Sequence, residues 1–149
     1  MKKFFLGFLL AGTLNLFASD IIIKKSPCDV YMTSHILEKI IMKRNMNIFA
    51  KINHSANAKN MGMALDDSLE LIFGKAQIAT RLMQQDMLVG LDLPLRILIY
   101  KDKDGIVKVA YRDGSWLKQK HIIDAPKLIN KINNGLDKIT NEAIAECRK

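Results

Sequence analysis

Leu95-Arg96-Ile97-Leu98-Ile99-Tyr100-Lys101-Asp102-Lys103-Asp104-Gly105-Ile106-Val107-Lys108-Val109-Ala110-Tyr111 is the stretch that decides the fold. Two runs rich in β-branched and aromatic residues flank a turn whose Asp102, Asp104 and Gly105 suit a tight backbone reversal. A strand over 95–100 and an antiparallel partner over 106–111 follow, the clearest β signal in the chain.

The same reasoning extends toward the N-terminus. Residues 69–73 form a compact apolar strand closed by Gly74, and residues 78–85 place Ile78, Leu82 and Met83 on one side of a helix. Residues 47–53 alternate, with Ile48, Ala50 and Ile52 on one face, as a half-buried strand does. Residues 55–63 carry Ala56, Ala58 and Met61 on a short helix ending at Gly62. Asp29 can cap a helix in which Thr33, Leu37, Ile40, Ile41 and the stem of Arg44 recur at helical spacing. Ile36 widens that stripe, Lys43 and Arg44 complement the helix dipole, and Asn45 suits the left-handed closing residue. Ile21-Ile22-Ile23 is a first strand, stopped by Lys24, Lys25, Ser26 and Pro27.

On the other side of the hairpin, residues 115–121 make a brief helix. Residues 127–146 make a longer one with Leu128, Ile132, Leu136, Ile139 and Ile144 as its apolar side. Residues 122–126 are expected to act as a hinge to it. The pattern predicts an α+β two-layer sandwich: a roughly five-stranded mixed or antiparallel sheet, helices mainly on one face, plus a C-terminal helix. The expected division is a signal peptide at 1–18, an α+β domain at 19–124 and a C-terminal helical extension at 125–149.

The first eighteen residues carry the export reading. Lys2 and Lys3 precede an apolar run from Phe4 to Leu10, and Leu14 to Ala18 lead to a small residue before Ser19. Gly12, Thr13 and Asn15 interrupt the run well short of the ~20 apolar residues a spanning helix needs. Cleavage after Ala18 and a periplasmic address are expected, with at most peripheral membrane contact afterwards. The formal charge of +8 on 149 residues loses two lysines with that segment and stays basic. Attraction to anionic surfaces or an acidic partner follows. Export argues against nucleic acid, and the lysines are spread over the chain rather than massed. Cys28 and Cys147, near the ends of the mature chain, can bridge in an oxidising compartment if their Cα atoms come close enough; the alternative leaves both unpaired.

One ordered series of short motifs resembles a known family. It runs Phe49-Ala50-Lys51-Ile52-Asn53-His54, then Ala58, Gly62, Leu65 and Glu70-Leu71-Ile72-Phe73-Gly74. Leu82-Met83-Gln84, Leu91-Asp92-Leu93-Pro94-Leu95, the Asp104-Gly105 turn, Tyr111 and His121 complete it. The series resembles the bacterial and archaeal family called domain of unknown function 302 (DUF302) over roughly residues 26–122, leaving out the helix beyond Pro126. The resemblance implies a small α+β protein, homodimers in at least some members, and no defining catalytic activity. Where the family usually has Asn-Pro after Phe73-Gly74, this chain has Lys75 and Ala76, with Ala79 in place of a later Gly. That loop is expected to be more helical here.

The chemistry-bearing candidates are His54, Asp92, Tyr111 and His121. His54 falls between a strand and a helix, where a histidine can hold an anion or metal or move a proton; a plainer reading has it cap that helix. Asp92 lies between two leucines, either as a buried base or as an acceptor for loop amides. Tyr111 and Trp116 can line a pocket or fill the core. Met61, Met63, Met83 and Met87 suit Cu(I) chemically but fit flexible core filler better. The residues do not identify a cofactor. No serine elbow, phosphate loop, haem-attachment motif or metal-spaced histidine pair is present. The leading expectation is a non-enzymatic periplasmic module binding a small ligand, metal or partner near His54 and Asp92. One alternative is an enzyme using those two residues as acid and base. The other is an envelope protein docking through its basic surface.

Overall fold

The hairpin forms as two strands joined at the Asp102–Gly105 turn, where Asp102 Oδ1 accepts the N–H groups of Asp104 and Ile106. The computed structural model describes residues 21–148. In chain order the strands are β1 (Ile22–Ser26), β2 (Asn47–Asn53), β3 (Ser68–Gly74), β4 (Leu95–Lys101) and β5 (Val107–Tyr111). The helices are α1 (Val30–Lys43), α2 (His54–Asn60), α3 (Ala76–Met83), α4 (Gly114–Lys120) and α5 (Pro126–Glu146). A 3-10 turn, Met87–Leu91, lies between α3 and β4. The strands form one sheet in the order β1-β5-β4-β3-β2, every neighbouring pair antiparallel. The expected α+β architecture is therefore observed, and the sheet is antiparallel throughout the described residues.

Strand alternation sends one set of side chains under the helices. Leu69, Leu71 and Phe73 of β3, Ile97 and Ile99 of β4, and Val109 of β5 are buried against α1 and α5. The stripe read from α1 is buried through Thr33, Ile36, Leu37, Ile40 and Ile41. Asp29 caps it by accepting the Met32 N–H at 2.7 Å, and Asn45 closes it at φ 53°. From α5, Ile129, Ile132, Leu136, Ile139 and Ala143 enter the same core. Close approach of α4 to α5 requires Gly114, because a Cβ there would lie 3.0 Å from the Ile129 carbonyl oxygen.

The opposite sheet face stays open. Register aligns Ile23, Ala110, Leu98, Glu70 and Ile52 in one row across all five strands. Ile23 in that row is 51% exposed.

Two expectations fail locally. Residues 122–126 do not behave as a free hinge: Asp86 Oδ2 accepts the Ile122 N–H, Gln85 Oε1 accepts the Asp124 N–H, and Ile123 is buried. The methionines are not core filler as a group, since Met61, Met63 and Met87 are each more than 60% exposed. Met61 and Met63 flank Gly62, whose φ of 71° turns the chain out of α2. Only Met83 of the four packs against the core. Cys28, just before α1, and Cys147, at the end of α5, are bridged with Cα atoms 5.5 Å apart. The signal-peptide reading lies outside the described residues.

Candidate functional site

Asp92 meets His121, 29 residues away in sequence, with Oδ2 and Nε2 2.6 Å apart. The ring's other nitrogen, Nδ1, lies 3.4 Å from Asp86 Oδ2. His121 is thus clamped between two carboxylates, and its side chain is only 9% exposed. An imidazolium can donate to both carboxylates, whereas a neutral ring donates to one.

The local sequence explains how these groups converge. Asp86 N-caps the 3-10 turn by accepting the Leu88 N–H at 2.9 Å, and it also takes the Ile122 N–H. Asp92 closes the same turn, so both carboxylates project from its two ends. His121 follows the last residue of α4, its N–H bonded to the Leu117 carbonyl. The Ile122 and Leu88 amides, in that order, hold the Asp86 carboxyl below the usual carboxylate range, and His121 acts in the same direction.

A depressed pKa makes stability that is present above the unfolded value near ~4 and lost as pH falls through the folded one. We predict that Asp86→Asn lowers the melting temperature at neutral pH, and that the gap from wild type narrows below about pH 4. Thermal melts between about pH 7 and pH 3 check this. A gap that does not change with pH would show that the carboxylate charge is not what matters.

Asp92 also lines a cleft of about 330 Å³ on the open side of the sheet. Glu70, Arg96, Tyr111, Arg112 and Trp116 line it too. Its walls are fixed by local bonds. Asp113 caps α4 by accepting the Ser115 and Trp116 N–H groups. The Arg112 guanidinium lies 4.6 Å from the Trp116 ring centroid, within cation–π range. Glu70 has Arg96 Nη1 and His54 Nε2 each 4.0 Å from one of its oxygens.

Of the four candidates, Asp92 and Tyr111 line this cleft, with Tyr111 buried and Lys24 Nζ 5.9 Å from its ring centroid. His121 supports the cleft from behind through Asp92. His54 is the first residue of α2 and reaches the cleft only through Glu70. The structure therefore pairs Asp92 with His121 rather than with His54. Capping of α2 falls to Asn53, which accepts the Ala56 N–H at 2.8 Å. The loop amides near the clamp are served by Asp86, a residue the sequence reading passed over. Its signal was legible as an Asp one residue before a short apolar run. Among the described residues no group of three or more His, Cys, Asp or Glu side chains is arranged to hold a metal ion.

A family model described as "Domain of unknown function DUF302" matches residues 22–143. The chain belongs to the DUF302 family. The matched span includes most of α5, which the motif-level resemblance had left out. A crystal structure of an uncharacterized conserved DUF302 protein from Bacillus stearothermophilus superposes with a TM-score of 0.69 at 18% identity. It covers 87% of this chain and 99% of that one, which establishes the shared DUF302 fold.

Two curated relatives carry the name "Fluoride-specific ion channel FluC 1". The one from Brucella suis biovar 1 (strain 1330) is 36% identical over 94 residues, covering 61% of this chain and 37% of that protein. The one from Brucella abortus biovar 1 (strain 9-941) is 36% identical over 94 residues, covering 35% of its length. The chain thus spans little more than a third of these relatives. No helix among its described residues is long and apolar enough to cross a membrane.

Proposed function

We propose that this DUF302 chain is an exported, non-enzymatic module that binds a small polar or zwitterionic ligand in the cleft lined by Asp92. The observation that carries the reading is the His121 clamp, which fixes one carboxylate at the wall of a cleft offering both signs of charge and an aromatic face. Arg96 and Arg112 supply donors for an anionic group, Asp92 and Glu70 supply acceptors for a cationic one, and Trp116 supplies an apolar plate. Acid–base turnover is the weaker reading, because the one histidine bonded to Asp92 is nearly buried and contacts no cleft volume of its own.

The Lys2-Lys3 start with its apolar run and the Cys28–Cys147 bridge support a periplasmic, oxidising location. In the Brucella proteins the matched stretch is a minor part of a protein named as a channel, which supports work beside a membrane. The basic composition fits the same place through anionic headgroups or an acidic partner. A homodimer completes the reading.

A thermal-shift panel of amino acids, small carboxylates, amines and metal ions tests it, with sedimentation run on the same samples. At least one zwitterionic member is expected to raise the melting temperature, and Asp92→Asn is expected to weaken that ligand about tenfold while the fold persists. A panel without a single shift would defeat the proposal.

A further inference from the structure

A second cavity, of about 220 Å³, lies beyond the polar cleft, where α3 and α5 meet the ends of β2 and β3. Phe73, Ile78, Leu93, Pro94, Ile132 and Leu136 are among its walls. The 91–95 segment separates the two spaces, since Leu95 lines both. The space is partly open to solvent, and its apolar walls go without packing partners there, which requires an explanation.

Gly135 points to one. It sits in the middle of α5 and lines the cavity, although glycine is a poor residue for a helix interior. A Cβ placed there would meet nothing within 4 Å. The protein itself therefore offers no steric reason for the missing side chain, and the glycine keeps the space open.

The charges of the lining are one-sided. Arg44, Lys75 and Lys131 line the cavity and no acidic residue does. Arg44 is paired with Glu142, outside the lining. Lys75 stands at the start of α3, where no side chain caps the helix, and neither its ammonium group nor that of Lys131 has a hydrogen bond or ion pair among the described residues.

We propose that this cavity binds an anionic amphiphile, a medium-chain alkyl carboxylate whose tail fills the apolar space and whose head meets Lys75 and Lys131. The volume is about one and a half times that of an engineered apolar cavity that takes up benzene, which corresponds to a tail of roughly eight carbons. Burial of the chain supplies the affinity and the lysines select the sign of the head.

Titration calorimetry of the purified chain with octanoate, 1-octanol and octyltrimethylammonium tests the assignment. Octanoate is expected to bind saturably with 1:1 stoichiometry, octanol more weakly, and the cation not at all. Lys75→Gln and Lys131→Gln are each expected to weaken octanoate about three- to fivefold and to leave octanol unchanged. Gly135→Leu is expected to raise the melting temperature and abolish binding of both, an opposition that general destabilisation does not produce. If Gly135→Leu fails to fold, Ala79→Leu repeats the test from the α3 side. Absence of octanoate binding in the wild type, or undiminished binding in the filled variant, overturns the proposal. So does octyltrimethylammonium binding as well as octanoate. The zwitterion panel reads the other cleft, so either site can fail alone.

Discussion

Reduction of the Cys28–Cys147 bridge is expected to lower the melting temperature by roughly 10 °C without unfolding the chain at room temperature. The two cysteines are 119 residues apart, so the bridge closes a loop containing nearly all of the described domain. Cross-linking removes conformations from the unfolded chain, and removal of such a bridge typically costs about 2–4 kcal/mol.

Other contacts across the same seam keep the native arrangement after reduction. Lys24 Nζ, on edge strand β1, donates to Asp137 Oδ1 at 2.6 Å, Thr140 Oγ1 at 2.9 Å and Asn141 Oδ1 at 2.7 Å, all on α5. Ser26 and Thr33 share a buried hydroxyl hydrogen bond of 2.7 Å beside the bridge. Calorimetric scans with and without reductant, repeated on Cys28→Ser/Cys147→Ser, provide the check. The double variant should melt like the reduced wild type and should no longer respond to reductant. Equal melting of oxidised and reduced protein would mean that the unfolded chain gains no freedom from the cut.

Most elements were legible because their signals are local. The Asp29 cap and Asn45 closure of α1 and the Asp-Gly turn of the β4–β5 hairpin each act over a few residues. The single apolar face read for β2 does not hold, because a register shift between Ile48 and Ala50 sets Ile48 opposite the core residue Phe73 and Ile52 opposite Glu70 on the other face. Lys75-Ala76 does lead directly into α3, as the missing Asn-Pro implied. What could not be read depends on elements meeting in space. Nothing within residues 22–26 indicates that β1 lies beside β5 rather than beside β2. The exposure of Met61, Met63 and Met87 could not be foreseen either, because thioethers at helical or turn spacing fit a core equally well.

The candidate site was half legible for the same reason. Asp92 and His121 were both singled out, but their 2.6 Å contact requires the 3-10 turn and the end of α4 to be adjacent. The cavity at Gly135 was invisible, since a glycine in a helical pattern reads as a weak position and not as a reserved volume.

The ranking of the two histidines gives the second large effect. His121→Ala is expected to destabilise the chain by about 2 kcal/mol, and His54→Ala by less than about 0.5 kcal/mol. His121 is nearly buried and is bonded to one carboxylate while facing a second. Its removal leaves Asp86 and Asp92 directed at the same vacated position without the donor that separated them, so desolvation and like-charge repulsion act together. Asp86 still accepts the Ile122 and Leu88 amides, so the chain keeps its course and the loss stays local. His54, by contrast, is 41% exposed and 4.0 Å from Glu70, a geometry in which ion pairs contribute little. Denaturant titrations of both variants, joined with Asp92→Asn in a double-mutant cycle, separate the cases. Coupling of about 1 kcal/mol or more between His121 and Asp92 is expected, and none between His54 and Asp92. Because Asp92 also lines the polar cleft, His121→Ala should weaken any ligand held there although the ring itself lines none of it. Unchanged ligand affinity in a folded His121→Ala protein would reduce the clamp to a structural contact and remove the main support for the cleft as the working site.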